Sequence, residues 1–164
     1  YYRSPMTAST GTASTNTNYF QAMPIYIPST TTFDRIGVTT TSVTTGGNIR
    51  LGIYSDNAGL PSTLVLDSGV IAYSANSTAY MATISQTLTA GWYWLGSVIQ
   101  SGSSTWLGYG AYPTQGMSGL MLSNTSGSLI ICAYQTGVTG ALPSTLSSPA
   151  ISGYSQPVVY LRTA

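Results

Sequence analysis

Apolar and polar residues alternate with a period of two in short runs along this chain, and no stretch of useful length repeats at the helical spacing. The clearest case is "NIRLGIYS" (48–55), where Ile49, Leu51 and Ile53 share one face and Arg50, Gly52 and Tyr54 the other. "AYMATIS" (79–85) likewise puts Tyr80, Ala82 and Ile84 together. "TFDRIGVTTTSV" (32–43) reads as a strand with Phe33, Arg35 and Gly37 on one face and Asp34, Ile36 and Val38 on the other. "GWYWLGSVIQ" (91–100) is apolar on both phases and predicts a central strand covered on both faces, with Trp92 and Trp94 sharing one of them.

Further strands are expected at 19–27, at 62–74 with a bend at Asp67–Gly69, at 120–124 and at 128–135. A last one spans 157–163, with Pro157 at its entry, where a missing N–H is tolerated. Gly46-Gly47 is expected to turn the chain. Residues 101–119 read as a Gly- and Tyr-rich connection with a short strand near Trp106, and 136–156 as a long polar loop. About nine short strands separated by turn residues predict an all-β, antiparallel β-sandwich, jelly-roll-like. The irregular, polar residues 1–18 are expected to form an extended N-terminal arm or linker, which leaves 19–164 as a single sandwich domain.

Composition narrows the chemistry. Charged residues are 4% of the 164, against roughly 25% in ordinary soluble proteins. Four arginines and three aspartates make up the whole set, with no Lys, Glu or His. The usual general base and the commonest metal ligand are therefore missing. Ser and Thr abound, but a hydroxyl nucleophile needs an activating base, and none can be nominated. Two of Asp34, Asp56 and Asp67 could in principle pair for glycoside hydrolysis, but each has a structural job to compete for it. The expectation is a non-enzymatic protein without a cofactor.

A net charge of +1 without a basic run argues against nucleic-acid binding. The apolar runs are too short for membrane insertion as a helix. Cys132, the one cysteine, lies in the apolar run "SLIICAY" and reads as a buried free thiol. So low a charge threatens solubility unless the chain sits in a larger assembly or is coated by hydroxyls and amides. The chain opens on Tyr, and the expectation is a piece of a longer chain or a processed product.

In "RLGIYSDNAGLPSTLVLDSG" (50–69), Asp56-Asn57 followed by Gly59 and Pro61 is turn chemistry: Asx side chains mimic the backbone and Gly accepts a positive φ. As a cation loop the segment is weak. Asp56 and Asn57 are its metal candidates, and the bidentate Glu that closes an EF-hand loop does not exist in the chain. An Arg35–Asp67 or Arg50–Asp34 pair is expected to fix strand register or a subunit contact.

The ordered set "AMPIYIP" (22–28), "TFDRIGV" (32–38), "IRLGIYSDNAGLPSTLVLDSG" (49–69) and "ISQTLTAGWYWLG" (84–96) resembles a β-sandwich module of bacteriophage tail fibres and minor virion structural proteins. The opening "YY" and the final "VVYLR" resemble the module's ends more weakly. The resemblance implies a virion protein on the tail or capsid exterior, a homotrimer with other virion proteins as partners. A tail-fibre or fibre-tip module would attach to the host surface, through a surface polysaccharide; a capsid decoration or head fibre would contact only other virion proteins. Loops rich in Tyr, Ser, Gly and Asn are general recognition surfaces, and Trp106, Tyr109 and Tyr112 in the Gly-rich connection are the ligand-binding candidates, with packing at a trimer interface as the alternative role for the same residues.

Overall fold

The computed structural model describes residues 1–3, 10–109, 132–146, 149–152 and 156–164. Among them every strand pairing is antiparallel and no helix occurs, so the fold is all-β and sandwich-like, as the period-two pattern predicts. Eleven strands are seen among the described residues.

Two long strands organise them. β4 (Thr31–Asn57) runs for 27 residues and β7 (Gly91–Tyr109) for 19. The first half of β4 pairs with β11 (Tyr160–Thr163) on one side and β6 (Ala79–Leu88) on the other, and β1 (Tyr2–Arg3) closes the outer edge of β11. The second half of β4 pairs with β5 (Leu60–Tyr73) and β7. Beyond β7 lie β3 (Tyr19–Ile27), β8 (Cys132–Thr136) and β9 (Ala150–Ser152). β2 (Thr10–Ser14) and β10 (Gln156–Pro157) pair with the far end of β7. We call the group β1-β11-β4-β6 the small sheet and the β5-β4-β7-β3-β8-β9 group the large sheet; β4 belongs to both.

The main core lies between the two sheets. Ile49, Leu51 and Ile53 of β4 meet Ile25, Ile27, Leu95 and Ile99 there, with Phe33, Ile36, Val38, Val159 and Leu161 from the small sheet. A second core covers the opposite face of the large sheet: Phe20, Ala22, Tyr54, Trp94 and Val98 pack under Val138, Leu142 and Leu146. β7 is thus buried on both faces, as its unbroken apolar run predicts. The segment expected as a polar loop at 136–156 does more than connect, since its spaced aliphatic residues roof the second core.

Four local expectations give way. Gly46-Gly47 does not turn the chain; β4 continues through it, and register shifts against β7 between Val43 and Asn48 absorb the irregularity. Phe33 shares the core face with Ile36 and Val38 because, against β11, a bulge between Phe33 and Arg35 adds one residue to β4 and reverses the phase of the alternation. Residues 1–18 are not simply an arm: β1 and β2 are strands of this chain's own sheets, and Ala13 is buried. The strand expected at 157–163 is interrupted, with buried Val158 and Val159 between β10 and β11. The strand expected at 120–124 lies outside the described residues, and of that at 128–135 only the part from Cys132 falls within them.

Candidate functional site

The three carboxylates all hold structure. Asp56 stands at the end of β4 beside the two-residue turn Ala58–Gly59, where φ is +53° and +82°. Positive φ at both central residues is the type I′ hairpin, whose twist matches the strands it joins. Asp56 accepts the Gly59 amide at 3.2 Å and the Trp94 indole N–H at 2.8 Å. Asn57 is exposed at the same turn. Among the described residues no group of three His, Cys, Asp or Glu could hold a metal ion.

Asp67 sits at the bend of β5, where the pairing with β4 slips between Arg50 and Gly52. Its carboxylate accepts two bonds from Arg50 Nη1, at 3.0 and 2.8 Å, the Gly69 amide at 2.9 Å and the Leu142 amide at 2.9 Å. Asp34 accepts Arg162 Nε at 2.8 Å and is bonded by Arg162 Nη2 as well, with Arg35 Nη1 at 3.9 Å. Those Arg162 bonds hold its carboxyl below the usual range and push the Arg162 guanidinium up. The pairs are therefore Arg50–Asp67 and Arg162–Asp34, not Arg35–Asp67 or Arg50–Asp34. The register of β4 against β5 and β11 decides this, and residue spacing along the chain does not report it.

Trp106, expected in a binding loop, is a core residue. β7 runs on to Tyr109, and the Trp106 side chain is 0% exposed with its ring 4.9 Å from that of Tyr73 in an edge contact. Tyr109 is the last residue of β7, opposite Thr10 and Gln156. Tyr112 lies outside the described residues. The other tryptophans share a face as expected: Trp94 is buried, and Trp92 is partly exposed beside Tyr26, ring centres 5.2 Å apart.

An open cleft of about 540 Å³ lies instead against the outer face of the small sheet. Tyr1, Arg3, Met81 and Tyr160 line it, with Leu107 and Val158. Alternation on each strand puts them there. In β11, Leu161 points into the core and its neighbours Tyr160 and Arg162 point out; in β6, Tyr80 and Ala82 pack on the core and Met81 between them points out. In the N-terminal segment Tyr2 packs on Phe33 at 5.4 Å, which leaves Tyr1 and Arg3 outward. Tyr1 meets the Tyr160 ring edge-on at 5.6 Å. Burial is the main influence raising the Tyr160 phenol's pKa, so it stays neutral and can donate as well as accept.

Arg3, Met81 and Tyr160 were not among the residues expected from sequence. The available signal was the scarcity of charge: two of four arginines end the short runs "YYR" and "YLR". Nothing along the chain brings positions 3, 81 and 160 together. Comparison with protein-family models, curated proteins and solved structures finds no match to this chain.

Proposed function

We propose that this chain is a non-enzymatic module of a virion, most simply a phage tail-fibre or fibre-tip domain that assembles as a homotrimer and contributes to attachment on a host-surface polysaccharide. The observation that carries the non-enzymatic part is the fate of the carboxylates. Asp34, Asp56 and Asp67 are the chain's only acids, and each is committed to hydrogen bonds that hold strands or turns. With no His, Lys or Glu beside them, no side chain stands ready to move a proton near neutral pH.

The virion reading rests on the resemblance carried by residues 22–28, 32–38, 49–69 and 84–96, which supply most of β3, β4 and β5, the second half of β6 and the start of β7. Binding is supported by the open cleft lined by Tyr1 and Tyr160, since aromatic faces and amphipathic tyrosines suit sugar rings. The fibre reading is favoured over a capsid decoration because β1 and β2 are paired within the chain, where a decoration would lay its arm on the shell.

An array of bacterial surface glycans probed with the purified chain tests attachment, with light scattering for assembly. Retention of intact glycans and a trimeric mass are expected. Release of shortened glycan overturns the non-enzymatic part, a monomer at micromolar concentration overturns the trimer, and absence of binding to any glycan overturns attachment.

A further inference from the structure

Strand register draws one straight row across the small sheet. Arg3 lies opposite Tyr160, Tyr160 opposite Gly37, and Gly37 opposite Met81. Directly opposed residues of antiparallel strands share a face, so these four share the outer face. Gly37 leaves the middle of the row without a side chain. A Cβ there would stand 2.9 Å from Tyr160 Cε2 and Cζ and 2.9 Å from Met81 Cγ. The Tyr160 ring and the Met81 chain therefore reach over Gly37 from either side and line the cleft, with Arg3 at its end.

The charges are divided unevenly between the sheets. Arg3, Arg35, Arg162 and Asp34 belong to the small sheet, whereas Arg50, Asp56 and Asp67 belong to the large one. Arg162 lies directly opposite Arg35, and the single carboxylate of Asp34 serves both. Three arginines against one aspartate leave the small sheet with an excess of two positive charges in a chain of net charge +1. Arg3 is exposed and takes part in no ion pair among the described residues.

We infer that this row is a binding site for an acidic saccharide, its ring against Tyr160 and Met81 over Gly37 and its carboxylate on Arg3. Arginine matches a carboxylate through paired, charge-assisted N–H bonds, and tyrosine offers both an apolar face and a hydroxyl. A second copy of this chain is the poorer occupant on charge grounds, because Asp34 and Asp67 are paired with arginines and Asp56 is held by the Trp94 indole and the Gly59 amide. The inference rests on the glycan-attachment reading and names the site and the class of sugar.

The test is an array carrying matched uronate- or sialate-bearing and neutral glycans, read with the whole chain and four variants. Wild type is expected to prefer the carboxylated glycans and to release them as salt is raised. Arg3→Ala, an exposed change that leaves the core untouched, is expected to lose about tenfold in affinity, the scale of one charge-assisted contact. Gly37→Val displaces the Tyr160 ring and the Met81 chain that lie over it and is expected to weaken binding further, with its fold checked by circular dichroism. Tyr26→Ala and Trp92→Ala, at the other exposed aromatic pair, are expected to bind as wild type. Carboxylate-independent binding, binding that survives Arg3→Ala, or binding lost only with Tyr26 or Trp92 overturns this site and leaves glycan attachment standing. No binding to any glycan overturns both. A change of oligomeric mass in Arg3→Ala marks the face as a self-interface and overturns the inference too.

Discussion

At the scale of single residues, this protein treats charge as a fastening. Asp67 is the clearest case, because one carboxylate ties a strand bend, a neighbouring strand and the roof over the second core. Arg50 and Asp67 are 18% and 17% exposed, and Arg50 Nε is buried without a partner, so the guanidinium depends on that carboxylate. Removing one member of a largely buried pair leaves the other charge uncompensated. Asp67→Ala is expected to lower unfolding free energy by about 3 kcal/mol in urea titration, the lower end for such a broken pair. A loss under about 1 kcal/mol, typical of an exposed pair, would contradict this account. Asp56 plays a similar part for the Trp94 indole, which is why the acids of the 50–69 segment offer a poor cation site.

At the scale of elements, the two phases of one alternating strand serve different cores. Ile49, Leu51 and Ile53 of β4 face the small sheet, while Tyr54 faces the segment 137–146 and donates its hydroxyl to the Pro143 carbonyl at 2.8 Å. That segment has no regular strand of its own, apart from a bridge between Thr63 and Thr145. Its hold on the sheet combines burial of Val138, Leu142 and Leu146 with the Leu142 amide on Asp67 and with backbone hydrogen bonds. These run from the Leu64 amide to the Ser144 carbonyl, from the Leu146 amide to the Ser62 carbonyl and from the Val138 amide to the Asn18 carbonyl. Leu142→Ala is expected to cost about 2–5 kcal/mol, as for a leucine within a regular element. A loss below about 1 kcal/mol, measured by denaturant midpoint at constant m-value, would mean that the roof is only draped.

At the scale of the molecule, sparse ionisation makes stability nearly blind to pH around neutrality. No Glu, His or Lys titrates anywhere in the chain, and burial pushes the Cys132 thiol up to about 12. Asp34 is depressed by the Arg162 bonds. A depressed carboxylate stabilises the fold fully above its unfolded value, about pH 4, and that contribution fades as pH falls through the lower folded value. The melting temperature is therefore expected to be flat from about pH 5 to 8 and to drop below about pH 4, less steeply in Asp34→Asn. A drift above about 3 °C on the plateau, roughly 1 kcal/mol at this size, would reveal a titrating group that these pairings do not account for.

The fold class and much of the fold were legible in the sequence. Alternation marked β6 and the second half of β4, the double apolar phase marked β7 as central, and Asp-Asn-Ala-Gly marked the hairpin turn. These features are local: side-chain period, turn chemistry and burial preference act over a few residues, so the linear order carries them. What tertiary structure decided was everything that depends on register between distant strands. A single bulge after Phe33 reversed which face of β4 is buried. Long pairings extended β7 past Trp106 and drew that ring into the core. The same pairings chose Asp67 for Arg50 and Asp34 for Arg162. They also aligned positions 3, 160, 37 and 81 across four strands, because residues become neighbours in a sheet through hydrogen-bonded register, which sequence distance does not encode.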